Sequence, residues 1–209
     1  MRWSFLKPAL LVSLGLWLLL GVAYPLAATA VSQLLFPRQA AGSLVRLRGR
    51  VVGAAHVGQN FWGQRDYFWG RPSATLSPLT GRLQPYDAEN SGSSNLGPTS
   101  RTLLVDVQEA LRQLQAASPG LRRRQIPLSL VEVSASGLDP DITVGAALIQ
   151  VPRVAKNTGL SRNYLTALVR LAARSPEWGL FGTERVNVLT LNLLVYRSLH
   201  DTAHREPPT

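Results

Sequence analysis

The sequence predicts an α+β protein: one N-terminal transmembrane helix with a short leading tail, residues 1–37, followed by a single mixed α/β domain over 38–209. Three observations point there. No charged side chain occurs from Pro8 to Pro37. Capped stretches with helix-spaced apolar residues follow in the second half of the chain. Short β-branched runs bounded by glycine accompany them. A length of 209 residues suits one domain plus an appendage.

The apolar run comes first. As helix, thirty uncharged residues span about 45 Å, against a hydrocarbon core about 30 Å thick that needs ~20 apolar residues. Only a helix satisfies every backbone group of a single span in lipid. Pro25 removes one hydrogen bond, which predicts a kink just past mid-span. A cleaved signal peptide is the rival reading, with Arg2 and Lys7 as its basic start and Ala28-Thr29-Ala30 as its cleavage site. The run exceeds the 7–15 apolar residues usual for a signal, so an uncleaved anchor is favoured. Charge alone leaves orientation close to a tie. Arg2 and Lys7 precede the span, while Arg38, Arg46, Arg48 and Arg50 follow it. Long domains translocate largely regardless of such charges. Ala23, Ala27 and Ala30 form a small-residue face on which another membrane helix can approach closely, although alanine is also simply common in such helices.

After Pro37, residues 44–52 predict one or two strands with a turn at Gly49. Residues 58–72 are dense in aromatics, with Phe61, Trp62, Tyr67, Phe68 and Trp69, and residues 73–99 predict an ordered loop. Ser100 caps a helix carrying Leu103, Leu104, Val107, Leu111 and Leu114, which Pro119-Gly120 stops. Leu128, Leu130, Val131 and Val133 predict a strand ending at Ser134. Thr143 caps a second helix through about Asn157, kinked at Pro152 and ended by Gly159. Ser161 caps a third helix through about Arg174. Val186 to Leu194 is a last apolar element containing Asn187 and Asn192.

Composition narrows the chemistry. The absence of cysteine excludes disulfides, thiolate metal sites and a cysteine nucleophile. No G-x-x-x-x-G-K-[ST] loop and no G-x-S-x-G elbow is present. His200 and His204 are spaced to share a helix face, but a frayed tail is the stronger reading so near the C-terminus. His56 reads as a packed or edge histidine in a strand-like stretch. Asp139 and Asp141 read as a turn and helix entrance, since Gly137-Leu138-Asp139-Pro140 is strong turn chemistry. A net charge of +10 raises nucleic acid or anionic membrane as a partner. Arginine is dispersed, however, and only Arg122-Arg123-Arg124 is clustered. A backbone-binding groove needs a basic stripe, so no nucleic-acid partner is expected.

Several strings then read together: YPLAAT at 24–29, GQNF at 58–61, YFWGRPSAT at 67–75, SGSSNLGPTS at 91–100, SASGLDPDIT at 134–143, QVPRVAKNTGLS at 150–161 and FGTERVNVLTLNL at 181–193. In this order behind one N-terminal anchor, the set resembles the C subunit of the Kdp-type potassium-transporting ATPase. The resemblance implies a single-pass subunit of a bacterial inner-membrane complex, with a cytoplasmic N-terminus and an extracytoplasmic domain. Implied partners are a channel-like potassium-binding subunit, a P-type ATPase subunit and a very small membrane subunit, alongside the lipid bilayer. The complex would use ATP, magnesium and potassium, with no cofactor bound by this chain. The implied role is non-catalytic: assembling or stabilising the complex and raising the ATP affinity of the ATPase subunit. Consistent with that role, no D-K-T-G phosphorylation motif is present. Ser93 stands where the family pattern has a second glycine, a change that removes a positive-φ site. Thr183-Glu184, Thr190 and Val195-Tyr196 are further departures.

These expectations make loop shaping and contact the business of the motif residues. Gly70 lets the chain turn and Pro72 fixes the next backbone angle. Arg71 offers a five-donor fork for carbonyls of a neighbouring loop, and Asn95 does similar work at 91–100. Trp62, Trp69, Asp139, Arg153, Asn187 and Asn192 complete the candidate structural and interface set. The 58–100 region is expected to face the mouth of the potassium-binding subunit, since aromatic density and long ordered loops mark binding surfaces. The rival functions are an anchored binding module, for carbohydrate on the tryptophans, and an anchored hydrolase with an unrecognised Ser/His/Asp set.

Overall fold

The computed structural model describes residues 5–202; the expectations on Arg2 and His204 lie outside them. The chain divides into two compact units, Met1–Ala54 and Ala55–Thr209.

The first unit opens with a 30-residue helical run, Leu6–Leu35, of mean hydropathy 2.1 and with none of its length buried inside the chain. It is the one helix among the described residues long and apolar enough to cross a membrane. The run is α1 (Leu6–Leu18), a π-helical turn (Leu19–Ala23) and α2 (Tyr24–Leu35). The π turn lies immediately before Tyr24-Pro25. A proline ring clashes with the carbonyl four residues back, and one wide turn accommodates it, as such bulges do inside helices. Pro25 therefore sits in the first turn of α2, where its missing N–H leaves the helical path unbroken. A short α3 (Pro37–Ala40) follows.

The expected hairpin is β1 (Leu44–Leu47) and β2 (Arg50–Ala54), antiparallel with Leu47 opposite Arg50. Arg48 and Gly49 at its turn have φ of 48° and 80°, the paired left-handed geometry that matches strand twist in two-residue hairpins.

In the second unit, α4 (Arg101–Ala117) starts at Ser100, whose hydroxyl accepts from the Leu103 N–H. Ala110, Leu111, Leu114 and Ala117 form its buried face, while Leu104 is exposed. The strand expected at 128–133 is instead a 3-10 turn, Leu128–Leu130, entered from Pro127. Leu130 and Val131 are both buried, and consecutive inward side chains do not fit a strand's alternation.

Thr143 ends β3 (Asp141–Thr143) and caps α5 (Val144–Leu148) through the Ala146 N–H, at 3.2 Å. Pro152 does more than kink this segment. It occupies the first turn of a separate α6 (Val151–Thr158), which Gly159 closes at φ 75°. Ser161 caps α7 (Arg162–Ala172) through the Tyr164 N–H. That helix stops before Arg174 because Ala173–Arg174 form β4, paired with β5 (Arg185–Asn187). The three-stranded sheet has the order β3-β5-β4, antiparallel throughout. The last apolar element turns at Asn187 from β5 into α8 (Val188–Thr202).

One core joins these elements. Its fully buried residues include Phe68, Leu114, Leu130, Val154, Leu165, Val169, Val186, Leu191 and Val195. Side chains from α4 to α8 and the small sheet thus enclose the segment around Phe68.

Candidate functional site

The motif residues form three polar hubs, two of them on the irregular chain between Asn60 and Asn95.

In the first hub, Asn192 and Gln150 read adjacent peptide groups. Asn192 on α8 accepts from the Phe68 N–H at 2.8 Å and donates to the Phe68 carbonyl at 2.9 Å. Gln150, just before α6, accepts from the Trp69 N–H at 2.8 Å and donates to the Trp69 carbonyl at 3.1 Å. Each side-chain amide supplies one donor and one acceptor, so together they do for Phe68-Trp69 what a neighbouring strand would do. Arg153, 3% exposed, sits one turn along α6. Its Nη1 donates to the carbonyls of Arg65 at 2.7 Å and Tyr67 at 2.9 Å, and its Nη2 to Gln150 Oε1 at 2.6 Å. The guanidinium also lies 4.4 Å from the Trp69 ring centroid, within cation–π range. Burial, then the like charge of Arg65, lowers its pKa to about 10; the group remains cationic at neutral pH.

Trp69 is 3% exposed and packs on Trp62 with ring centroids 4.9 Å apart. Its Nε1 donates to the Gln64 carbonyl. A ring enclosed in this way cannot stack on a sugar.

The second hub joins loops. The Tyr86 hydroxyl donates to the Arg71 carbonyl. Arg71 reaches the Val133 carbonyl and Asp139 Oδ2, both at 3.3 Å. Asp139 also accepts from the Asp141 N–H at 3.0 Å, the Asx turn expected of Gly-Leu-Asp-Pro. Gly70 is not a left-handed turn; its requirement is space. A Cβ there would lie 2.9 Å from the Tyr86 hydroxyl. Gly137 needs both space and freedom: its φ is 69°, and a Cβ would meet the Thr75 methyl and the Gly92 carbonyl within 2.5 Å. Desolvation at this hub, followed by the charge of Asp139, raises the Tyr86 phenol well above its ordinary value.

The third hub is Asn187. Its amide donates to the Ala55 carbonyl at 2.9 Å and to Asp141 Oδ1 at 3.2 Å. Its oxygen caps α8 by accepting from the Thr190 N–H and hydroxyl. Arg185 ties Asp141 to Glu177 beside it.

Other expectations fall elsewhere. Asn95 is exposed with φ 52°. It, rather than Ser93, holds the left-handed position of its loop. Pro72 borders a small groove with Trp62 and Tyr86. Ala23, Ala27 and Ala30 all lie exposed on the apolar helical run. His56 is exposed in the turn after β2 rather than packed in a strand. The His200 ring stacks on Tyr196, and its Nδ1 lies 2.8 Å from the Tyr196 carbonyl; its expected partner His204 is outside the described residues. Gln150, Tyr86 and Thr75 were not legible as site residues. Gln150 opens the QVPR string three residues before Arg153, and that spacing on one helix face was the available signal.

The family model described as K+-transporting ATPase, c chain, matches residues 6–197. Similar proteins named potassium-transporting ATPase KdpC subunit occur in Rhodopseudomonas palustris strain TIE-1, 47% identical over 90% of this chain and 94% of that protein. Others occur in Variovorax paradoxus, 48% identical over 91% and 94%, and in Methylobacterium nodulans, 48% identical over 90% and 94%.

Proposed function

The chain belongs to the C-chain family of K+-transporting ATPases, and from that premise we propose that it is a non-catalytic subunit that assembles and stabilises an ATP-driven potassium uptake complex. The observation that carries this reading is the use of the motif residues. Asn192, Arg153, Arg71 and Asn187 are bonded to the chain's own backbone carbonyls and N–H groups. A built scaffold, rather than an open catalytic cleft, is what those side chains make.

In this reading Leu6–Leu35 spans the bacterial inner membrane with the N-terminus in the cytoplasm and residues 38–209 outside. The partners are a channel-like potassium-binding subunit, a P-type ATPase subunit and a very small membrane subunit. The small-residue face at Ala23, Ala27 and Ala30 seats a partner helix. The loop region 58–100 faces the potassium-binding subunit through its exposed residues, such as Leu79 and Asn95. An outside domain has no access to cytoplasmic ATP, so its effect on ATP affinity runs through the span.

Mild detergent extraction followed by size exclusion tests the assembly role. Co-migration with large polytopic membrane proteins is expected, and Ala27→Leu should weaken it. A lone chain of 22.8 kDa in its micelle would contradict the proposal.

A further inference from the structure

A second feature of the folded unit borders the first hub, with which it shares Arg65 and Arg153. A cavity of about 580 Å³ opens between the end of α4, one face of α6 and the start of α7. Fourteen residues line it, and none is aspartate or glutamate. Four are cationic: Arg65, Arg153, Lys156 and Arg162. Arg65, Lys156 and Arg162 are exposed, and no carboxylate lies within 4.0 Å of them among the described residues. Ser118 and Asn157 add polar groups to the lining. The Arg122-Arg123-Arg124 cluster continues directly from the lining residue Leu121 and is itself exposed.

The lining itself carries no compensating carboxylate. Like charges at close quarters repel, and the lowered pKa of buried Arg153 registers Arg65 as one cause. Asp66, next in the chain, acts in the opposite direction but only as the weakest of the three influences on Arg153. An oxyanion seated in the cavity would satisfy several cations at once, and guanidinium forks bind phosphate oxygens in pairs.

We propose that this cavity is a binding site for a phosphate group, held by Arg65, Lys156 and Arg162 over the positive floor supplied by Arg153. The group is either free inorganic phosphate or the headgroup of an anionic phospholipid. Arg153 contributes potential rather than contact, because its Nη1 is committed to backbone carbonyls and its Nη2 to Gln150 Oε1.

Lys156 gives a direct readout, since Lys7 is the other lysine of the chain and serves as an internal control. The full chain is placed in phosphatidylcholine nanodiscs and acylated with a limiting amine reagent. Inorganic phosphate is titrated against chloride at constant ionic strength, and both lysines are quantified by peptide mass spectrometry. In a second arm, phosphatidylglycerol replaces part of the lipid and no phosphate is added. Several-fold slower acylation of Lys156, relative to the same lysine in an Arg65→Gln/Arg162→Gln variant, is the expected result in at least one arm. Protection in the first arm assigns the free anion, and protection in the second assigns the headgroup. Arg170→Gln, an exposed change outside the cavity, should leave the protection intact. Absence of protection in both arms, or equal protection in the double variant, would overturn the proposal.

Discussion

Asn192 and Gln150 hold adjacent peptide groups with paired donor and acceptor bonds. Removing one amide leaves a buried N–H and a buried carbonyl without partners, each costing about 1–3 kcal/mol. Asn192→Leu should therefore lower stability by roughly 2–6 kcal/mol, measured by chemical denaturation of the full chain in micelles. Unchanged stability would show that the Phe68 backbone finds other partners. Tyr86 gives a pH signature. Its phenol is raised above the ordinary 10.0 by burial, then by Asp139, with Arg71 partly opposing. A raised folded pKa means that the folded state favours the protonated phenol. The stabilisation is complete below pH 10 and is lost as pH rises beyond it. Denaturation series from pH 8 to 11 should show falling stability above about 10, with a shallower fall in Tyr86→Phe. The same slope in both proteins would contradict this assignment.

At the scale of elements, helix starts were the most legible feature. Ser100, Thr143 and Ser161 each cap where their chemistry indicates, because a cap is a local event between a side chain and the next turn. Replacing Ser100 by alanine should cost about 1 kcal/mol, read as a lowered denaturation midpoint. What was not legible depends on contacts distant in sequence. The 128–133 strand failed because Leu130 and Val131 are buried on consecutive positions. The third helix ended early because Ala173 pairs with Val186 in the sheet. Gly70 reads as a turn locally, yet its constraint is the Tyr86 hydroxyl sixteen residues away. Gly70→Ala should displace that hydroxyl and cost about 1–3 kcal/mol by overpacking.

For the whole molecule, the near-neutral mean hydropathy of +0.05 averages two different parts. One is an apolar run exposed along its full length, which water would not tolerate and lipid would. The other is a domain with its own core. The net charge of +10 is carried largely by dispersed arginines, and three of them are tied to carboxylates as ion pairs. The cysteine-free sequence allows the proposed orientation to be tested without background. A cysteine at Leu79, 93% exposed, should react in intact cells with a membrane-impermeant maleimide. Reaction only after lysis would reverse the topology.

Potassium-limited growth bears most directly on the proposed role in uptake. The strain lacks this chain and every other potassium uptake system, and the medium holds potassium at micromolar concentration. Failure to grow, with rescue by the intact chain, is the outcome expected of a required subunit of the uptake complex. Growth of the deletion strain equal to that of its parent would contradict it.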